Sequence, residues 1–125
     1  MVERFFTPKE VNLLLPSIKK IVEEILSAAN QVRVLMTTPD PLNQHQSQLM
    51  ALDGRIKTLM GQLEDRGCYY KDWNFDIGLV DFPAIIHGQK ALLCWRSDEP
   101  KVEWFHGYEE GFTGRRPVTR ELIFS

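Results

Sequence analysis

The sequence predicts an α+β domain: an N-terminal antiparallel hairpin of long helices, kinked near Pro16, packed on a small C-terminal antiparallel β-sheet of three to four strands. Three observations lead there. Up to Gly67, apolar residues recur about every 3.5 positions, the spacing of a stripe along a helix. After Gly67 they alternate, as on a half-buried strand. Finally, His87-Gly88 separates two apolar runs as a two-residue turn in which glycine tolerates positive φ.

The first helix begins at Thr7-Pro8-Lys9-Glu10, where Thr7 caps, Pro8 suits the first helical position and Glu10 completes a capping box. Its stripe runs from Val11 through Leu15, Ile18, Val22 and Ile25 to Met36, and Pro16 predicts a kink or break beside Leu15. Thr37 to Pro41 is a loop by its two prolines. A second stripe, Leu49, Leu52, Ile56, Leu59 and Leu63, ends at Arg66-Gly67, where glycine suits a left-handed cap. The two helices are expected to match, at some 22 residues and about 33 Å each.

Cys68 to Asp72 predicts a first short strand, and Trp73 to Ile77 a connecting loop whose two aromatics tuck inward. Leu79 to Ile86 and Gln89 to Arg96 then pair around His87-Gly88. That register puts Val80, Phe82 and Ala84 on one face with Trp95, Leu93 and Ala91, and turns Asp81 to the other, opposite Cys94. Pro83, without a backbone donor, predicts an edge position or a bulge. If Ser97 to Pro100 is a four-residue turn into a strand Lys101 to His106, Val102 and Trp104 join the core face. Glu103 then lands beside Cys94.

These elements read as one domain over 1–125, with the hairpin at 7–66, a β-meander at 68–106 and a glycine-containing, loop-rich tail at 107–125. A hydrophobic share of 43% against 26% charged excludes disorder. The net charge of -2 gives no pull toward nucleic acid or anionic membrane, so neither is predicted as a partner. Arg115, Arg116 and Arg120 are too few to change that. Cys68 and Cys94 form no CxxC, which argues against a zinc ribbon or a thioredoxin motif; the two could form one disulfide, and a reduced chain is the simpler reading. Charged residues at Glu3, Arg4, Lys9 and Glu10 stand where a signal peptide needs an apolar core, and no apolar run reaches the ~18 residues of a span. A cytoplasmic location follows.

Several motifs carry a resemblance across nearly the whole chain. They are the Phe6-Thr7-x-x-Glu10 helix start, Leu14-Leu15-Pro16, Lys71-Asp72, Gly78-Leu79-Val80-Asp81-Phe82-Pro83, Leu93-Cys94-Trp95, Glu99, and Gly111-Phe112-x-Gly114-Arg115-x-Pro117. With these the chain resembles a bacterial family catalogued as domain of unknown function 2203. The resemblance implies a prokaryotic, cytosolic setting and this fold, and transfers no activity.

Candidate ligand-binding residues are Asp72, Asp81, Arg96, Glu99, Glu103, His106 and Arg115. Asp81, Arg96 and Glu103, with Asp72 beside them, would share the outer face of the sheet. There they form either a tuned carboxylate site or a plain cross-strand ion-pair network. His106 with Glu109 or Glu110 is a His/acid cluster, but His45 and His87 add no HxH or HExxH spacing, so no metal is predicted. Gly111 to Arg116 reads as an anion cradle or as a glycine-hinged tail. Cys94, among Leu92, Leu93 and Trp95, reads as a buried inert thiol. No catalytic residue and no cofactor is indicated. Two functions follow. One is a non-catalytic interaction or assembly module that homodimerises through its helices, with a protein partner or a small anionic ligand as further possibilities. The other is a small-molecule- or metal-binding enzyme or sensor using Asp81, Glu99, His106 and Arg115.

Overall fold

The computed structural model describes residues 4–119. Helix α1 (Pro8–Thr37) opens with the capping box: Thr7 Oγ1 accepts from Glu10 N at 3.2 Å and Glu10 Oε1 from Thr7 N at 3.0 Å. The helix runs unbroken through Pro16. Pro16 is exposed, so the Asn12 carbonyl that loses its donor lies on the flank where water can replace it. Of the expected kink or break, the break is therefore absent. At 30 residues α1 is about 45 Å long, whereas α2 (Gln46–Asp65) has 20 and spans about 30 Å, so the expected match in length does not hold. Between them the Asp40 carboxylate accepts from Gln44 N and His45 N at 2.7 and 2.8 Å and so starts α2 in place of a cap from His45. Gly67, at φ +89°, ends it.

The sheet has five strands in sequential order, every neighbouring pair antiparallel: β1 (Tyr69–Tyr70), β2 (Leu79–Ile86), β3 (Gln89–Arg96), β4 (Trp104–His106) and β5 (Arg116–Pro117). The strand beyond the expected three or four is β5, a two-residue piece of the tail. Its Arg116-Pro117 carries no strand pattern of its own and pairs because β4 offers an edge. The β2–β3 register is the predicted one, with Val80 opposite Trp95, Asp81 opposite Cys94 and Ala84 opposite Ala91. His87 and Gly88 both take positive φ, as the tight hairpin requires. Pro83 is locally at an edge: β1 stops short of it, and its carbonyl accepts from Phe6 N at 2.7 Å.

One face of this sheet, Val80, Phe82, Ala84, Leu93 and Trp95, joins Val11, Leu15, Ile18, Val22 and Ile25 of α1 and Leu59 and Leu63 of α2 in a single core. Gly78 marks the close approach, since a Cβ there would overlap Val22 Cγ1. Of the two loop aromatics, Phe75 stacks on Tyr70 at 5.5 Å, but Trp73 is 68% exposed. Asp72 causes that split. Its carboxylate accepts from the backbone N–H of Asn74, Asp76 and Ile77 and winds the loop tightly enough to turn Trp73 outward.

Candidate functional site

The opposite face of the sheet carries the polar residues. Here the turn after β3 decides the outcome. Cys94 pairs with Trp104 and Leu92 with His106, so the connection is one residue longer than the predicted four and every side chain of β4 changes face. Trp104 and His106 come to the Asp81 side, Phe105 packs toward the core, and Glu103 leaves the sheet to pair with Lys101 at 3.5 Å. Glu99 organises the longer turn. Its Oε1 accepts from Arg96 N at 2.7 Å, its carbonyl from Trp95 Nε1 at 2.9 Å, and both carboxylate oxygens from Arg115 Nη2 at 2.7 Å.

The result is a buried cluster of three side chains from three adjacent strands. Asp81 on β2, Cys94 on β3 and His106 on β4 are 5%, 2% and 3% exposed. One ligand atom from each lies within 4.8 Å of the others. His106 Nε2 is 3.2 Å from Asp81 Oδ1, and Nδ1 is 2.8 Å from the carbonyl oxygen of Gly107. A carbonyl only accepts, so Nδ1 carries a proton and donates it to Gly107. Nε2, on the other side of the ring, then faces Asp81 Oδ1 within hydrogen-bond distance. Burial raises the Asp81 carboxyl above its ordinary value, opposed by the neighbouring His106 and Lys71. Burial first, then the Asp81 charge, pushes the Cys94 thiol up to about 12. Cys94 is therefore buried and protonated as predicted, but it faces a polar cluster instead of apolar core.

Above the cluster opens a cavity of about 320 Å³, walled by Lys71, Leu79, Tyr108, Glu110 and Phe112. The tail builds its roof. Arg115 lies 5.0 Å over Trp104 and 4.6 Å over Phe112, while Glu110 accepts from Gly107 N at 2.9 Å and Arg116 Nη2 at 2.9 Å. Glu110 nests against Gly107 and Gly114, where a Cβ would meet its carboxylate at 2.8 and 2.7 Å.

Of the residues singled out from the sequence, Asp81 and His106 meet. Glu99 and Arg115 also meet, as a second pair one strand along, with Arg115 Nη2 reaching the Cys94 carbonyl at 3.4 Å. The others do not join. Asp72 caps its loop, Arg96 binds Asp98 at 2.6 Å, and the cluster of His106 with Glu109 or Glu110 does not form at the imidazole. The anion cradle at Gly111 to Arg116 is a 3₁₀ turn (Phe112–Gly114) whose two arginines are both taken by carboxylates. Arg120 lies outside the described residues. Cys94 is the residue that sequence reasoning left out. Its position opposite Asp81 was in the register, but nothing local revealed that His106 completes the group.

These features define a small α+β protein in which a helical hairpin covers one face of an antiparallel meander and a buried Asp–Cys–His cluster lies under a cavity on the other. The chain belongs to the uncharacterized conserved protein family, domain of unknown function 2203, whose model matches residues 4–118. No curated protein and no solved structure matched it. No helix among the described residues is long and apolar enough to cross a membrane.

Proposed function

We propose that the protein binds a small anionic molecule in the cavity above Asp81, Cys94 and His106. The observation that carries this reading is the placement of three buried polar side chains beneath an open cavity on the face that the helices leave bare. A sheet face that served stability alone would gain more from apolar side chains there, because each buried polar group has to recover its lost hydration. Lys71 supplies positive charge at the mouth, and Tyr108 and Phe112 supply aromatic walls. Arg115 and Glu99 act differently from the sequence expectation: they neutralise each other and shape the turn. The Asp81–His106 pair, at hydrogen-bond distance, would let an enzyme of this kind move a proton on the bound molecule.

A thermal-shift screen with organic acids and phosphorylated metabolites tests the reading. A ligand at a hundred times its Kd stabilises by about 2.7 kcal/mol, or roughly 10 °C for a domain of this size. The rise should disappear in Lys71→Ala and His106→Gln. No rise with any compound, or one untouched by both substitutions, overturns it.

A second reading has its own observation. The outer end of the helical hairpin exposes Val34 at 55%, Met36 at 73%, Leu42 at 76% and Met50 at 66%, and a groove of about 430 Å³ lined by Val34, Leu35, Ala51 and Leu52 lies between the helices there. This supports a homodimer formed through the helices, alongside ligand binding. Both cysteines are buried and unpaired, which supports the reducing setting of a bacterial cytoplasm.

A further inference from the structure

We propose that Asp81, Cys94 and His106 hold a divalent transition metal, zinc above all, with one coordination position left open toward the cavity. The inference rests on reading that cavity as a binding site and names what would recognise an anion there. Ligand type, spacing, orientation and charge each favour it.

Carboxylate, thiolate and imidazole are the donors of zinc sites, and three of them with one open position is the arrangement in which zinc also binds a ligand or water. Zn–N and Zn–O bonds of about 2.0–2.1 Å and a Zn–S bond of about 2.3 Å place tetrahedral donors about 3.3 Å apart, or about 3.6 Å where one is sulfur. Nε2 and Oδ1 already stand at 3.2 Å, and no pair in the cluster exceeds 4.8 Å. Side-chain shifts on the order of 1 Å therefore complete the shell. The imidazole is held for it as well. The Nδ1–H bond to the Gly107 carbonyl, which lies outside the cluster, fixes the ring so that Nε2 is the nitrogen presented to the cluster. The charge also balances, because one carboxylate and one thiolate neutralise a dication, so nothing net is buried.

Binding as a thiolate also sets a proton balance: the proton on Cys94 Sγ leaves to solvent when the metal binds. The other groups facing the cluster are Lys71 beyond β1, Glu99 and Arg115 beside Cys94, and Tyr108 and Glu110 beyond β4. Glu99 is held by Arg115 and Glu110 by Arg116, so the proton comes from the cluster itself.

The test uses the whole chain, stripped with a chelator under reducing conditions. It is titrated with zinc against a chromophoric chelator, and with cobalt(II) as a spectroscopic stand-in. We expect one equivalent bound, thiolate-to-cobalt charge-transfer absorption, and release of protons on zinc binding in weakly buffered solution. Cys94→Ser should lose the charge-transfer band, and Asp81→Asn and His106→Gln should weaken zinc at least ~100-fold, each with its metal-free fold checked by circular dichroism. The wild-type spectrum and proton release stand even if a variant fails to fold. Zinc left with the chelator, cobalt spectra without a thiolate band, or an unchanged spectrum in Cys94→Ser each overturns the proposal. Repeating the anion screen with chelator and then with zinc separates the two readings. A ligand shift that persists in chelator without metal binding keeps the cavity and removes the metal; metal binding without any ligand shift does the reverse.

Discussion

Asp81 and Cys94 both carry pKa values raised by burial, and the sign of that shift makes a prediction for each. A group whose folded pKa lies above its unfolded value contributes stability that is complete below the unfolded value and is lost as pH rises through the folded one. For Asp81 the loss starts from the ordinary carboxylate value of 3.8 and runs upward. Asp81→Asn should flatten the pH dependence of unfolding free energy above that value. The amide can donate to Nε2 while Nδ1–H stays on Gly107, so neutral-pH stability should hold within about 1 kcal/mol, as urea melts across pH would show. A uniform fall of 3 kcal/mol or so at every pH would mean that the charge itself is needed. For Cys94 the window runs from 9.0 to about 12, and Cys68 shares it. Both thiols should therefore resist alkylation in the native, metal-free protein near neutral pH and react once urea unfolds it.

At the scale of elements, the Glu99–Arg115 pair ties the turn after β3 to the tail sixteen residues on. Their side chains are 15% and 10% exposed. Arg115→Ala should cost about 3 kcal/mol, or some 12 °C in Tm, by stranding a buried carboxylate that also holds the Arg96 backbone. If the melting point falls by no more than a degree or two, Glu99 does not organise the turn. Gly78→Ala should be nearly as severe, because the new methyl would overlap Val22 on the rigid core face of α1. This turn also marks where the sequence stopped being legible. The helix start at Thr7, the two helical stripes and the β2–β3 register follow from residues close in the chain, and the structure agrees with each. The face of β4 depends on a turn length that Arg115 helps to set from a distance, so the expected register puts Glu103 beside Cys94 where Trp104 stands, and Asp81 and His106 come together only in the four-residue grouping with Glu99 and Arg115. Pro16 shows the converse, a strong local signal for a break that packing on both sides overrode.

Across the whole molecule, α1 at about 45 Å is far longer than the eight-residue strands it covers, which reach about 27 Å. Its buried positions end at Ala29, and beyond them the helix is flanked by α2 and by the loop before β2, where Arg33 bonds the Asn74 carbonyl and pairs with Asp76. Sedimentation equilibrium should find dimers at micromolar concentration that Val34→Asp with Met36→Lys converts to monomers without lowering the melting point of the dilute protein. A wild type that stays monomeric would sink the helical dimer. The edge of the sheet on the β1 side, by contrast, is poorly suited to joining another chain. On the outer side of β2, the Leu79 carbonyl is taken by Lys71 N, Asp81 pairs with Tyr69, the Pro83 carbonyl is taken by Phe6 N, and Pro83 has no N–H to offer. An incoming strand would find few backbone groups to bond, so this edge is guarded against templated fibril growth even when the protein is concentrated.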